Sequence, residues 1–261
     1  MALSPSFLST HAGRLAALAL PLLLLAACGG SSSNAPASTP PPPSGVVTTL
    51  PEGAWGGTQK YFNLSQTTTA VAIVLGSGEF RVITGTAFHF AGTLNQGLAT
   101  GTAFSLLGLP PAPFTAKITE VTPKTSVTGT FTLGTDPTVF TFTTYGANYD
   151  TPLTLDLAAG SFVSPAAVNT LGQVLSLTLT ATGTLTASSA AGDALAGTYT
   201  VPDPTKSGLT VAFTYTPPGG GAAEAMTGVG TLMPDPNGTV PSLTILATGT
   251  TRSMVLKFGK L

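Results

Sequence analysis

Apolar and polar residues alternate with a period of two through most of residues 54–259. In Val127-Thr128-Gly129-Thr130-Phe131-Thr132-Leu133 the large apolar side chains share one face and the threonines the other, as a half-buried strand requires. Val139-Phe140-Thr141-Phe142-Thr143 repeats this after a Gly134-Thr135-Asp136-Pro137 turn, and the runs 175–180 and 209–215 do the same. Turn signals separate the runs: Gly76-Ser77-Gly78, Pro110-Pro111, Pro217 to Gly221, and Pro234-Asp235-Pro236-Asn237-Gly238. About fifteen strands at a spacing of roughly 8–14 residues are expected, which argues for antiparallel meanders. Only Ser164 to Gly172 reads as a short helix. The expected fold is therefore all-β, with meanders forming one β-barrel or two tandem small barrels or sandwiches.

The pattern also echoes itself. A first half opens on Gly53-Ala54-Trp55-Gly56-Gly57-Thr58 and ends in the hairpin of 127–143. A second opens near Leu157-Ala158-Ala159-Gly160-Ser161-Phe162, passes Gly197-Thr198-Tyr199-Thr200, and closes with the hairpin of 226–233 and 242–248. The β domain, residues 46–261, accordingly divides into candidate halves at 46–148 and 149–261.

Alternation is absent from the first 45 residues. Arg14 precedes a run from Leu15 to Ala27 that is entirely Ala and Leu apart from Pro21. At 1.5 Å per residue such a helix falls well short of the roughly 30 Å of a bilayer core, so residues 1–27 read as a signal peptide. Leu25-Ala26-Ala27-Cys28 then resembles a bacterial lipobox, which implies cleavage before Cys28 and acylation of the new terminal cysteine, palmitate included. Cys28 is the only cysteine, so no internal disulfide can form, and acylation would consume the thiol. Gly29 in place of Asp at the next position implies sorting to the outer membrane of a Gram-negative bacterium. Residues 28–45 continue as GGSSSNAPASTPPPPSG after the cysteine; with no apolar residue larger than Ala or Pro they cannot build a core and read as a disordered tether.

Composition sharpens this picture. Only 7% of residues are charged and the formal net charge is −1, so no basic patch suits nucleic acid. Polarity must come from elsewhere, and 46 threonines supply it, since a β-branched hydroxyl suits a solvent-facing strand position.

Several short motifs carry a wider resemblance. The lipobox and tether, Gly53-x-Trp55-x-Gly57-Thr58, Gly85-Thr86-Ala87-Phe88, Tyr149-Asp150, Gly197-Thr198-Tyr199 and the closing run Thr251-Arg252 to Gly259 resemble a group of proteobacterial lipoproteins of unassigned function. Members often have a cysteine pair in the second half, which this chain lacks. A fainter similarity links the Gly-x-Trp opening to calycin-like barrels and the barrel lobes of transferrin-binding protein B. That likeness implies that Trp55 closes a barrel end beneath Arg252 in a cation–π stack.

Candidate chemistry is sparse. His89, the one histidine beyond the signal segment, alternates with Phe88 and Phe90 and is expected to face solvent. One histidine and one lipid-bound cysteine make no zinc site, and no cofactor is expected. Ser161 lacks the second glycine of a nucleophile elbow. Asp150 and Asp156 are six residues apart and could pair as glycosidase acids, but loop aspartates ordinarily serve turns. Asp136-Pro137, Asp203-Pro204 and Asp235-Pro236 read as turns, and Gly219-Gly220-Gly221 precedes no helix that could cradle phosphate.

The expected protein is a non-catalytic binding or structural module anchored to the membrane through an N-terminal lipid, at the periplasmic or surface face. One alternative is a surface-exposed adhesin or receptor-partner lipoprotein that meets a protein or glycan. Another is a carrier of a small apolar ligand, with Phe88, Phe90, Phe104, Phe131, Phe140 and Phe142 lining the lumen. A membrane-spanning barrel is disfavoured, because 7% aromatic residues are too few for two girdles.

Overall fold

In a computed structural model, the described residues are 47, 49–60, 66–85, 88–106, 109–234 and 241–261. The expected signal peptide and tether, Cys28, Thr86-Ala87 and Asp235-Pro236 lie outside them. Eight strands follow in order: β1 (Gly53–Lys60), β2 (Thr67–Val74), β3 (Glu79–Thr84), β4 (Phe88–Asn95), β5 (Leu98–Ser105), β6 (Ala112–Thr122), β7 (Ser126–Leu133) and β8 (Asp136–Tyr145). Each pairs antiparallel with the next, and β8 returns to β1, closing a first barrel. Eight more do likewise: β9 (Gly160–Ser164), β10 (Leu175–Leu179), β11 (Thr184–Ser189), β12 (Ala194–Thr200), β13 (Gly208–Thr216), β14 (Glu224–Pro234), β15 (Pro241–Thr248) and β16 (Ser253–Lys260). β16 meets β9 through Gly259↔Val163 and Lys260↔Phe162, closing a second barrel. The fold is thus all-β, with two tandem eight-stranded antiparallel barrels.

Alternation accounts for both interiors. In barrel 1, Phe90, Phe114, Phe131, Phe140 and Phe142 point inward and are buried. Phe90 and Phe131 stack at 4.6 Å between centroids, and Phe131 meets Phe140 at 4.6 Å. Barrel 2 is filled by Phe162, Leu177, Leu185, Tyr199, Phe213 and Leu256 among others. The intervening positions carry mostly threonine, and cross-strand hydroxyl pairs such as Thr200–Thr210 (2.7 Å) form on the outside.

The short helix expected over Ser164 to Gly172 is not formed. Ser164 ends β9, and only Ala166–Val168 makes a single 3₁₀ turn. Asn169 explains why: its amide donates to the carbonyls of Pro165 and Gln173, and its Oδ1 accepts from Leu171 N–H. These bonds offer the backbone an alternative to a helix. One true helical turn, α1 (Leu155–Ala158), occurs earlier, capped by the Thr154 side chain.

The echo between halves is a repeat of geometry. In barrel 1, Leu75 N–H donates to Glu79 O, Gly78 N–H to Leu75 O, and Leu94 N–H to Gly78 O. In barrel 2, Thr180 N–H donates to Thr184 O, Gly183 N–H to Thr180 O, and Tyr199 N–H to Gly183 O. Gly78 (φ 85°) and Gly183 (φ 83°) take the same left-handed conformation at these hairpins. Closure repeats as well: Gly146 N–H reaches Ala54 O, and Leu261 N–H reaches Ser161 O.

Candidate functional site

The lumen of barrel 1 holds a cavity of only about 30 Å³, bounded by Trp55, Phe131, Phe140, Phe142 and smaller apolar side chains. Ligand sites for drug-sized molecules run to roughly 300–1,000 Å³, so the rings fill this barrel as core. Phe88 is half-buried against that core. Phe104 corrects the expected lining: it pairs in register with His89, on the face opposite Phe90, and so lies outside the barrel. The Trp55–Arg252 pair is corrected too, since the residues belong to different barrels. Trp55 meets Tyr145 of β8 edge-on at 5.0 Å and donates to Pro51 O (2.8 Å). Arg252 lies over Tyr215 at 5.4 Å and approaches Glu224 at 3.5 Å. Each barrel closes its own end with its own partners.

The larger recesses lie where the barrels meet, and the two belong to one compact unit. Strand register sets out the facing surfaces. Barrel 1 offers one outer row of Val71, Ile83, His89 and Phe104, and a second of Ile73, Arg81 and Ala91. Barrel 2 offers Val229, Leu246 and Val255. Ile73, Leu75, Val229 and Leu246 form a small buried cluster, joined by Ile83 and Val255. Grooves flank this seam. One of about 490 Å³ runs past Glu79, Arg81, Phe104 and Thr248. Another of about 370 Å³ is lined by Phe104, Leu106, Leu171, Tyr215, Arg252 and Met254.

His89 overturns its expected solvent exposure: it is completely buried, and neither ring nitrogen has a hydrogen-bond partner. Alternation placed it outside barrel 1, but it sits at the seam beside Ile83 and Phe104. Burial, reinforced by the Arg81 guanidinium, pushes the imidazole down to about 3, so it is neutral at ordinary pH. Arg81 is buried as well; it bridges Glu79 at 3.1 Å and donates to Phe80 O, while its Nε has no partner.

A junction ties the barrels on another side. Asp150 accepts from Lys124 of barrel 1 (2.7 Å) and Lys206 of barrel 2 (2.5 Å). Those bonds hold its carboxyl at about 2 against the opposing effect of burial. Tyr149 is buried next to it, donating to Glu52 and to Val74 O, while its carbonyl accepts from Ser207 N–H. Burial and the Glu52 charge push its phenol upward. Asp156 stands exposed on α1, whereas Asp150 is engaged by two lysines. Ser161 is exposed on β9.

At the barrel 2 end, Glu224 accepts from the Thr251 and Arg252 N–H groups and from the Thr250 and Thr251 hydroxyls. Burial raises its pKa, but these bonds together outweigh that and hold it low. Tyr215 donates to the buried Asp193 at 2.8 Å and is pushed up to about 12, by burial first and by that bond second. Among the described residues, no cluster of three or more His, Cys, Asp or Glu could hold a metal ion. The seam is thus a mixed aromatic and hydroxyl surface, with the Glu79–Arg81 and Glu224–Arg252 pairs along it and Lys257 exposed beside it. No family model, curated protein or solved structure matches the chain.

Proposed function

We propose that the chain is a lipoprotein of the Gram-negative outer membrane, acylated at Cys28, whose two barrels serve as a non-catalytic binding module. The run Leu25-Ala26-Ala27-Cys28 ahead of a Ser/Pro tether carries this reading. The polarity of the barrels supports it. Their interiors are apolar and their outer strand faces rich in threonine, whereas a membrane-spanning barrel needs an apolar belt outside. Among the described residues, no helix is long and apolar enough to cross a membrane. In this reading the Cys28 lipid provides attachment and the seam grooves provide binding, where a protein or glycan segment fits better than an apolar molecule enclosed in a lumen.

Expression in a Gram-negative host with an alkynyl palmitate label tests the anchor. The parent chain is expected to take up label and fractionate with the outer membrane. Cys28→Ala is expected to lose both. Label retained by Cys28→Ala, or a parent chain without label, overturns the proposal. The adhesin reading draws on the outer face of β10 to β13, where Thr178, Thr186, Thr198 and Thr214 lie among Ser and Ala with no charged side chain in those strands. Protease shaving of intact cells separates the two: cleavage favours surface display, and protection favours a periplasmic face.

A further inference from the structure

We propose that the seam between the barrels is an acid-sensitive joint, closed while His89 is neutral and parted when the ring takes up a proton from solvent. This rests on the seam geometry and not on the lipid anchor. His89 is sealed in the closed state, with both nitrogens unpartnered. An imidazolium there would present two N–H donors with no acceptor, an arrangement costly in an apolar setting. The charged neighbours cannot help. Arg81 on β3 is a cation, and Glu79 on the same strand is already bridged to it. On β5, the register partner is Phe104. From barrel 2, the facing positions on β14 to β16 are Val229, Leu246, Thr248 and Val255; the charges on that side are the exposed Lys257 and the Arg252–Glu224 pair.

The seam is also lightly packed compared with the barrels it joins. Its buried apolar cluster is Ile73, Leu75, Val229 and Leu246, small beside either barrel interior, and open grooves flank it. Parting the seam frees the ring without unfolding a barrel. Asp150 stays ionised down to about pH 2, so its lysine bridges persist and the junction acts as the hinge. A freed imidazole titrates near its ordinary pKa, so the ratio of parted to closed molecules rises about 25-fold between pH 7 and pH 5.

The test labels the full Cys28→Ser chain with donor and acceptor dyes at Val139→Cys and Thr186→Cys, exposed positions on opposite barrels. Energy transfer is expected to fall reversibly as pH drops from 7 to 5, and to stay flat over that range in His89→Gln and His89→Leu. Flat transfer in the parent, or variants that follow the parent's curve, overturns the proposal. Should both variants fail to fold, the His89 ring proton resonance in the parent decides. Titration in step with the loss of transfer supports the joint; loss of transfer without titration of His89 overturns it.

Discussion

Asp150 holds the junction through one carboxylate that takes a lysine from each barrel. Exposed pairs are worth roughly 0–1 kcal/mol each, and this group is only one-quarter exposed, so Asp150→Asn should cost about 1–2 kcal/mol at pH 7. The sign of its pH dependence follows from a folded pKa near 2, below the ordinary carboxylate value. The contribution is complete above about pH 4 and disappears as pH falls toward 2. Urea midpoints of parent and variant should therefore differ at pH 6 and converge near pH 2. A gap that stays constant with pH would mean that the bridges contribute nothing.

At the scale of elements, the repeated hairpins predict matched responses. A Cβ on Gly78 would stand 2.4 Å from Leu94 O, and one on Gly183 would stand 2.9 Å from Tyr199 O, the carbonyl at the equivalent position. Both glycines also have positive φ, so alanine should cost about 1–3 kcal/mol at either site, with Gly78→Ala the worse. Thermal midpoints test the order. The strands and the inward faces were legible because alternation reports directly which side of a pleat meets the core. What covers the outer side is not a local property. Its trace was nevertheless present where alternation fails: Ala70 to Leu75 is unbroken apolar sequence, and Ile245-Leu246-Ala247 and Met254-Val255-Leu256 are shorter runs of the same kind. Strands buried on both faces read this way, and these runs are the seam. His89 and Phe104 were misplaced for that reason, since facing out of one barrel meant facing the other. Trp55 and Arg252 were paired on the premise of one shared barrel end, where two barrels supply two.

For the whole molecule, two separate interiors joined by a small cluster imply two cooperative units. Trp55 is the only tryptophan and lies inside barrel 1, so its fluorescence follows that barrel alone, while far-ultraviolet circular dichroism follows both. Phe131→Ala removes a ring from the barrel 1 stack and should cost about 3–5 kcal/mol, moving the fluorescence transition to lower urea. Leu177→Ala, buried in barrel 2, should cost about 2–5 kcal/mol and shift only the dichroism change that the fluorescence does not share. Two probes with non-coincident transitions are what independent units require. Coincident transitions in the parent, with each substitution moving both probes, would instead make the seam strong enough to fuse the barrels into one unit. The acid-sensitive joint then fixes how this result should change with pH. Coupling through the seam is greatest when His89 is neutral, so the two transitions should lie closer together at pH 7.5 than at pH 5, and in His89→Leu their separation should not depend on pH over that range.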